Sequence, residues 1–416
     1  MHSILSTPTN VSESCGKEFQ PRYAELKKTL DPQKLIREAR RQSGLNEFGS
    51  EHFFQSLNTL LDCAAIDVDF SDTGLINFRH NIIRCLINRL RMHRDFTLHP
   101  EIRDEDVSDP IVVIGLPRTG TTKIQRILSS LPETEIQKTY LWKMMNPAPF
   151  SRSAASESDY LDPRIAAASQ GGITSDGRPD YQAAHIATAM EPEEDGLMCD
   201  GTFDDWVWSS VLLPSTSYYD WVIERPHINN YKHLHTMYQY LQWQNGGKQN
   251  RPWVTKNVQH IAYLEELLSY FPKATLVHCH RTPVSSIPSL VKLTIAMWSS
   301  IVKEVDPVFT GQTLLNWWQS AMDKYLLTRD KLHLDHRILD IPYDRIRNDA
   351  VNVATEVYRN SNRVLSPENI QTFRDWDRSN EQHMHGKHSY SLQQFGLSET
   401  MISKAFEGYI ERFIAK

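Results

Sequence analysis

Along the chain the spacing of apolar residues changes its period. From about Tyr23 to His93 the pattern is helical. In "LINFRHNIIRCLINRLRMH", Phe78, Ile82, Cys85, Leu86 and Leu90 recur at three- and four-residue steps and make one apolar stripe. Arg79, Arg84, Asn88 and Arg91 fall on other faces. This predicts an N-terminal helical extension, residues 1–108, packed on the main domain or on a partner subunit. Residues 1–20 are polar and read as loose. "TLHPEIRDEDVSDP" (97–110) is a polar, proline-bounded linker.

After the linker the period changes. Ile111 to Ile114 is a continuous β-branched run, as a strand buried on both faces of a parallel sheet would be. A glycine-bounded loop follows, then Ile124, Ile127, Leu128 and Leu131 at helical spacing. Similar junctions recur at Trp253–Thr255, with a helical stripe of Ile261, Leu264, Leu267 and Leu268 behind it, and at Ala274–Cys279, with a helix after Pro283. A fourth strand lies near Ile338–Ile341. Strands alternating with helices predict an α/β fold over residues 109–416, a P-loop-like parallel sheet flanked by helices. Residues 145–245 carry little clear period and predict an insertion of helices and long loops.

Composition and charge narrow the class. A net charge of -6 gives no general attraction to nucleic acid or to an acidic membrane. The five cysteines are scattered, with no C-x-x-C pair, so neither a disulfide framework nor a zinc site is signalled. No apolar run approaches the ~18 residues of a membrane span. The start, MHSILSTPTN, lacks the basic and apolar parts of a signal peptide. These features predict a cytoplasmic protein without nucleic-acid or membrane partners.

The chemistry concentrates in "GLPRTGTT" (115–122). Gly115 to Gly120 has the G-x-x-x-x-G outline of a phosphate-binding loop. A Walker A loop would continue with Lys and then Ser or Thr. Here Thr121 and Thr122 follow, and the positive charge sits inside the loop at Arg118. The amides of Gly120, Thr121 and Thr122 can face a phosphate. The same residues also suit an ordinary β–α turn whose threonines cap the helix. Ligands of open parallel sheets sit at the carboxyl ends of the strands. Three predicted strands deliver a cation there, Arg118, Lys256 and Arg281, which predicts a polyanion site.

At these residues the chain resembles PAPS-dependent sulfotransferases, and most closely the bacterial branch with an N-terminal helical extension. The resemblance covers most of residues 35–416. "GLPRTGTT" is similar to the loop that grips the 5′-phosphosulfate, which implies donor contacts from Pro117, Arg118, Thr119, Gly120, Thr121 and Thr122. Arg281 and Ser289, eight residues on, match the pair that binds the 3′-phosphate. "WVTKNVQH" resembles the branch's K-x-P-x-H stretch, with Val258 for the usual Pro; Lys256 matches the lysine that contacts the sulfuryl group. "IPYDRIRNDA" puts Tyr343 near the adenine. "GKHSYSLQQFGLS" (386–398) resembles the C-terminal stretch; Ser389 replaces an Arg there, and Lys387, His388 and Tyr390 are implied near the nucleotide. Lys143 stands where the branch often has Glu. The resemblance implies PAPS as donor, 3′,5′-ADP as product, no required metal, and a small-molecule acceptor in a pocket built by the insertion.

An alcohol or amine acceptor needs a base within hydrogen-bond reach. His260, four residues after Lys256, would share a helix face with it and is the first candidate. Glu193 and Glu194 are rivals, and His185 a weaker one. "EPEEDGLMCDGTFDD" (191–205) has seven acidic residues and no basic one. It reads as a solvated charged loop, or as an acidic mouth for a cationic acceptor with Trp206, Trp208, Tyr218 and Tyr219 nearby for stacking. Two other functions fit parts of the pattern: a Mg-dependent P-loop kinase or NTPase, and a nucleotide-binding protein without catalysis. The acceptor, the choice of O- or N-sulfation, and assembly into a homo-oligomer are open at this stage.

Overall fold

A computed structural model of the chain describes residues 20–150, 162–169, 173–175, 178–380 and 391–415. The polar start read as loose lies outside them, but for residue 20. Five strands, β1 (Ile111–Ile114), β2 (Gln137–Lys138), β3 (Trp253–Lys256), β4 (Thr275–His280) and β5 (Ile338–Pro342), form one sheet in the order β2-β3-β1-β4-β5. Every pairing is parallel. Central β1 sets Ile111 opposite Val254 of β3 and Thr275 of β4. Side chains alternate between the faces of a strand. Ile111, Val113, Val254 and Val277 pack on one side, and Val112, Ile114, Trp253 and Leu276 on the other. Both faces are covered, which is why the strands are apolar without alternation. The four predicted strands occur within a residue of their expected limits. Edge strand β2, at two residues, is too short to leave a period-two pattern.

The helices that matter below are α1 (Gln20–Thr29), α2 (Pro32–Ser43), α3 (Phe53–Asp67), α4 (Asp72–Leu98), α5 (Thr121–Leu128), α6 (Ile228–Gln244), α7 (Pro283–Trp298), α8 (Pro307–Lys331) and α9 (Ala350–Asn360). Their ends follow the sequence. The Asp31 carboxylate caps α2 by accepting from the amides of Gln33 and Lys34 at 2.8 and 3.1 Å. Gly44, at φ 68°, ends it in the left-handed turn that glycine favours. Helices α5 and α9 cover one face of the sheet. The other face joins a larger core that runs without a break into α2, α3 and α4.

The α4 stripe is buried as its spacing predicts, with Ile82, Cys85, Leu86 and Leu90 fully enclosed. Its other faces are not all solvated. Arg84 and Asn88 are buried too. Arg84 pairs with Asp200, and Arg84 Nη1 and Asn88 Nδ2 donate to the Met145 carbonyl at 2.5 and 2.8 Å. The insertion wraps a second side of α4, and polar groups there are satisfied internally. Gly74 marks how closely the helix approaches the segment after α7: a Cβ would lie 1.9 Å from the Ile301 carbonyl oxygen. Among the described residues Cys63, Cys85, Cys199 and Cys279 are free thiols. No described helix is long and apolar enough to cross a membrane.

Candidate active site at the carboxyl ends of the strands

The turn from β1 into α5 holds two residues in left-handed conformations, Arg118 at φ 68° and Gly120 at φ 94°. Left-handed residues in such turns create concavities of backbone N–H groups that suit anions. For arginine this conformation costs of order 1–3 kcal/mol. The turn is braced: Thr119 Oγ1 donates to the Leu116 carbonyl at 2.7 Å. The Thr119 side chain is therefore fully buried and turned into the protein, so only its backbone can face a ligand. Gly115 lies against β4, where a Cβ would sit 2.7 Å from the Cys279 carbonyl oxygen. Gly120 lies against Ile346 and Tyr343, with the hypothetical Cβ at 3.1 and 3.3 Å. Gly120 caps α5 without a side chain, leaving the first-turn amides without a side-chain partner from the cap.

The strand order puts β3, β1 and β4 side by side, so the three predicted cations meet. Arg118 Nε donates to Ser289 Oγ at 3.1 Å, and Arg281 Nη1 donates to the Arg118 carbonyl at 2.9 Å. The Arg281 guanidinium lies 4.3 Å from the Tyr343 ring centroid. Arg281, Ser289 and Tyr343 thus gather on one side of the loop. On the other side Lys256, 1% exposed, reaches Thr122 Oγ1 at 3.2 Å and Glu194 Oε1 at 2.7 Å. Lys387, His388 and Tyr390 lie outside the described residues.

A cleft of about 980 Å³, the solvent at its open mouth included, lies beside this rim. Pro117, Arg118, Thr121, Thr122 and Lys256 line its loop end, together with His185, Glu193 and Glu194. His185 Nε2 is 3.0 Å from both carboxylate oxygens of Glu193. Burial alone would raise the Glu193 carboxyl. The charges of His185 and Lys256 and the His185 hydrogen bond outweigh it and hold the carboxyl at about 2. Glu193 is clamped by its backbone as well, since its carbonyl accepts from Gln125 Nε2 and Thr139 Oγ1, both at 2.9 Å. An ionised, fixed carboxylate on Nε2 favours the imidazole tautomer whose Nδ1 is the acceptor.

His260 is not placed as the sequence spacing suggests. Lys256 ends β3, and Val258–Tyr263 is a 3-10 helix, so four residues do not bring the two onto one helical face. His260 is 2% exposed and turned into a separate small cavity behind Asn257 and Gln259. Both ring nitrogens are engaged: Nδ1 lies 2.7 Å from the Tyr231 hydroxyl and Nε2 3.3 Å from Asp195 Oδ2. The Asp195 carboxylate also accepts from Tyr238 and Thr255, at 2.6 and 2.5 Å. Lys143 is likewise internal, donating to Asn245 Oδ1 at 3.1 Å.

The acidic stretch is neither a solvated loop nor an open mouth. Glu193, Asp195, Asp200 and Asp205 are all buried. The nearby aromatics are core: Trp206, Trp208, Tyr218 and Tyr219 are each at most 3% exposed, and none lines the cleft. The walls beyond the rim come instead from α7 and α8, through residues such as Leu290, Leu293, Leu314 and Trp318. Sequence reasoning passed these over, because leucines at helical spacing read as core. The one signal was the position of α7, which carries Leu290 and Leu293, directly after β4.

The comparisons with known proteins agree with this geometry. The model of the sulfotransferase family matches residues 110–363. Sulfotransferase STF9 from Mycobacterium avium superposes with a TM-score of 0.79 at 24% identity, over 92% of this chain and 97% of that one. Sulfotransferase STF1 from Mycobacterium tuberculosis H37Rv gives 0.76 at 23% identity, over 90% of this chain and 98% of that one. No curated protein matches the chain in sequence. The matched span begins at β1, takes in the loop and the cations on β3 and β4, and runs past β5; on that span the chain belongs to the sulfotransferase family.

Proposed function

We propose that the protein moves the sulfuryl group of PAPS to a hydroxyl group of a small molecule. The observation that carries this reading is the convergence of Arg118, Lys256 and Arg281 on one glycine-bounded turn. The turn fits a 5′-phosphosulfate by its left-handed backbone, which the glycines at 115 and 120 let pack closely on β4 and on Ile346 and Tyr343. Pro117, Thr121 and Thr122 would complete that grip. Arg281 and Ser289 would hold the 3′-phosphate, and Tyr343 the adenine. When bound, PAPS supplies a sulfur–oxygen bond to the 5′-phosphate that breaks as an acceptor oxygen bonds to sulfur, leaving 3′,5′-ADP.

The protein's part is positioning and electrostatics, as in phosphoryl transfer. Lys256 and Arg118 stabilise the negative charge that collects on the bridging oxygen. His185, oriented by ionised Glu193, takes the acceptor proton on Nδ1. Glu194 fixes Lys256 in place. The buried position of His260 supports a structural role for it, beside Asp195.

The alternatives differ in the nucleotide they need. Binding to the native state raises apparent stability with ln(1 + [L]/Kd). The melting temperature is expected to rise with 3′,5′-ADP in EDTA and much less with Mg-ADP. Arg281→Ala should weaken 3′,5′-ADP roughly 10- to 100-fold, as loss of charge-assisted hydrogen bonds does. A larger shift with Mg-ADP would give the site to a kinase or NTPase. Binding of 3′,5′-ADP with no turnover of PAPS on any acceptor would make it a nucleotide-binding protein.

A further inference from the structure

We propose that the acceptor is a neutral alcohol or phenol with an elongated apolar body, and that Met297 limits its length. This rests on the sulfuryl-transfer reading above. The cleft is charged only at its loop end. Beyond it, α7 presents Leu290, Leu293 and Met297, a spacing of three and seven that keeps them on one face. Beside them α8, which packs against α7, presents Leu314 and Trp318, four residues apart. An acceptor hydroxyl at His185 would therefore lead into an apolar slot between two helices.

The charges exclude the cationic acceptor suggested by the acidic stretch. Among the described residues lining the cleft, the carboxylates are Glu193 and Glu194. Each has a cationic or hydrogen-bonding partner, His185 at 3.0 Å and Lys256 at 2.7 Å. An ammonium group could gain a carboxylate only by taking it from one of these, and would lose its hydration on entry. An apolar body gains by leaving water and disturbs neither pair.

Toward the N-terminal helices the slot ends at a wall. A second recess, bounded by Gly74, Asn77, Phe78 and Asn81 of α4 and by Arg178, lies next to the cleft. Ile173, Tyr181, Val211 and Met297 line both spaces and so form the partition between them. Met297 is the unbranched member of that wall, and trimming it joins the recess to the slot.

The test is turnover of straight-chain primary alcohols from butanol to dodecanol with PAPS, beside ω-amino alcohols of equal length. Binding of 3′,5′-ADP is measured on every variant as a control for folding and for the donor site. In the wild-type protein kcat/KM should rise roughly fourfold per methylene, then level off. The amino alcohols should be poorer at every length. Leu293→Asp should flatten the rise with 3′,5′-ADP binding unchanged, and Met297→Ala should move the plateau to longer chains. No dependence on chain length, a preference for amino alcohols, or no alcohol turnover while 3′,5′-ADP still binds would overturn the acceptor class and leave the donor reading standing. An unmoved plateau in Met297→Ala would overturn the length limit. Failure of wild-type protein to bind 3′,5′-ADP would overturn the sulfuryl-transfer reading itself.

Discussion

Two walls of the cleft carry charge, and they are built in opposite ways. On the loop wall the cations stand at the ends of neighbouring strands, so the sheet itself sets their spacing. Lys256 is the last residue of β3, Arg118 and Arg281 come from the turns after β1 and β4, and those two touch through one backbone carbonyl at 2.9 Å. On the opposite wall residues 191–205 have no regular scaffold. Asp200 is fixed by Arg84 of α4 and Asp195 by Tyr238 of α6 and by His260, all from distant parts of the chain, and Glu193 by His185 nearby in sequence. Successive residues of β3 hold successive residues of the stretch, Thr255 on Asp195 and Lys256 on Glu194. The loop wall is arranged for a ligand. The acidic wall spends most of its charge on holding the fold, and delivers only Glu193 and Glu194 to the cleft.

Lys256 touches both walls, so it tests the contrast most severely. Lys256→Met is expected to lower kcat by ~10²–10³, the usual cost of losing a stabiliser of developing charge. Glu194 loses its partner, but its side chain is 30% exposed and can be hydrated, so the variant should still fold. The double variant Lys256→Met/Glu194→Gln separates the two roles. It should remain as slow as the single variant. Recovery of activity would mean that Lys256 only neutralises Glu194.

The next comparison sets one histidine of the cleft against one of the interior. His185→Gln should cost about 100-fold in kcat/KM, within the range for a general base, and should remove the acidic limb of the pH–rate profile. His260→Gln should leave that limb in place and lower the melting temperature, because the buried Asp195 carboxylate loses a partner. The opposite pattern, with the limb lost in the His260 variant, would restore the assignment that the sequence spacing favours.

The difference between the walls also explains what could be read in advance. A parallel sheet leaves continuous apolar runs, and the residues at its strand ends are neighbours whatever the rest of the chain does. Four of the five strands and the meeting of Arg118, Lys256 and Arg281 followed from that. The acidic wall is decided by long-range burial. Seven carboxylates in fifteen residues look solvated unless Arg84, Tyr238 and Thr255 are known to lie against them. The same limit misplaced His260: a spacing of four means one face only in an α-helix, and the chain there is a strand, one extended residue and a 3-10 helix. It also hid the apolar slot, since Leu290, Leu293, Leu314 and Trp318 carry the same helical spacing as the core residues beside them.

The smallest effect concerns Asp205, an acidic-wall residue that lines the separate cavity beside His260 and not the cleft. Burial pushes its carboxyl up to about 7, against the lowering effect of the Val207 amide and Asn230; Asp204 adds to the rise and His260 opposes it. In the unfolded chain an Asp titrates near 3.9. Between these values the folded protein holds a proton that the unfolded chain has released. The contribution of this group to stability is then greatest below about pH 4, falls as pH rises through this window, and is lost above about 7. Asp205→Asn keeps an oxygen for the Val207 amide, 2.8 Å away, and cannot ionise. The variant is expected to melt a few degrees above wild type at pH 8 and at nearly the same temperature at pH 4, with kcat unchanged at both. Melting curves offset by the same amount at the two pH values would show that Asp205 is stabilised as an anion, and the acidic wall would then be more like the loop wall than its burial implies.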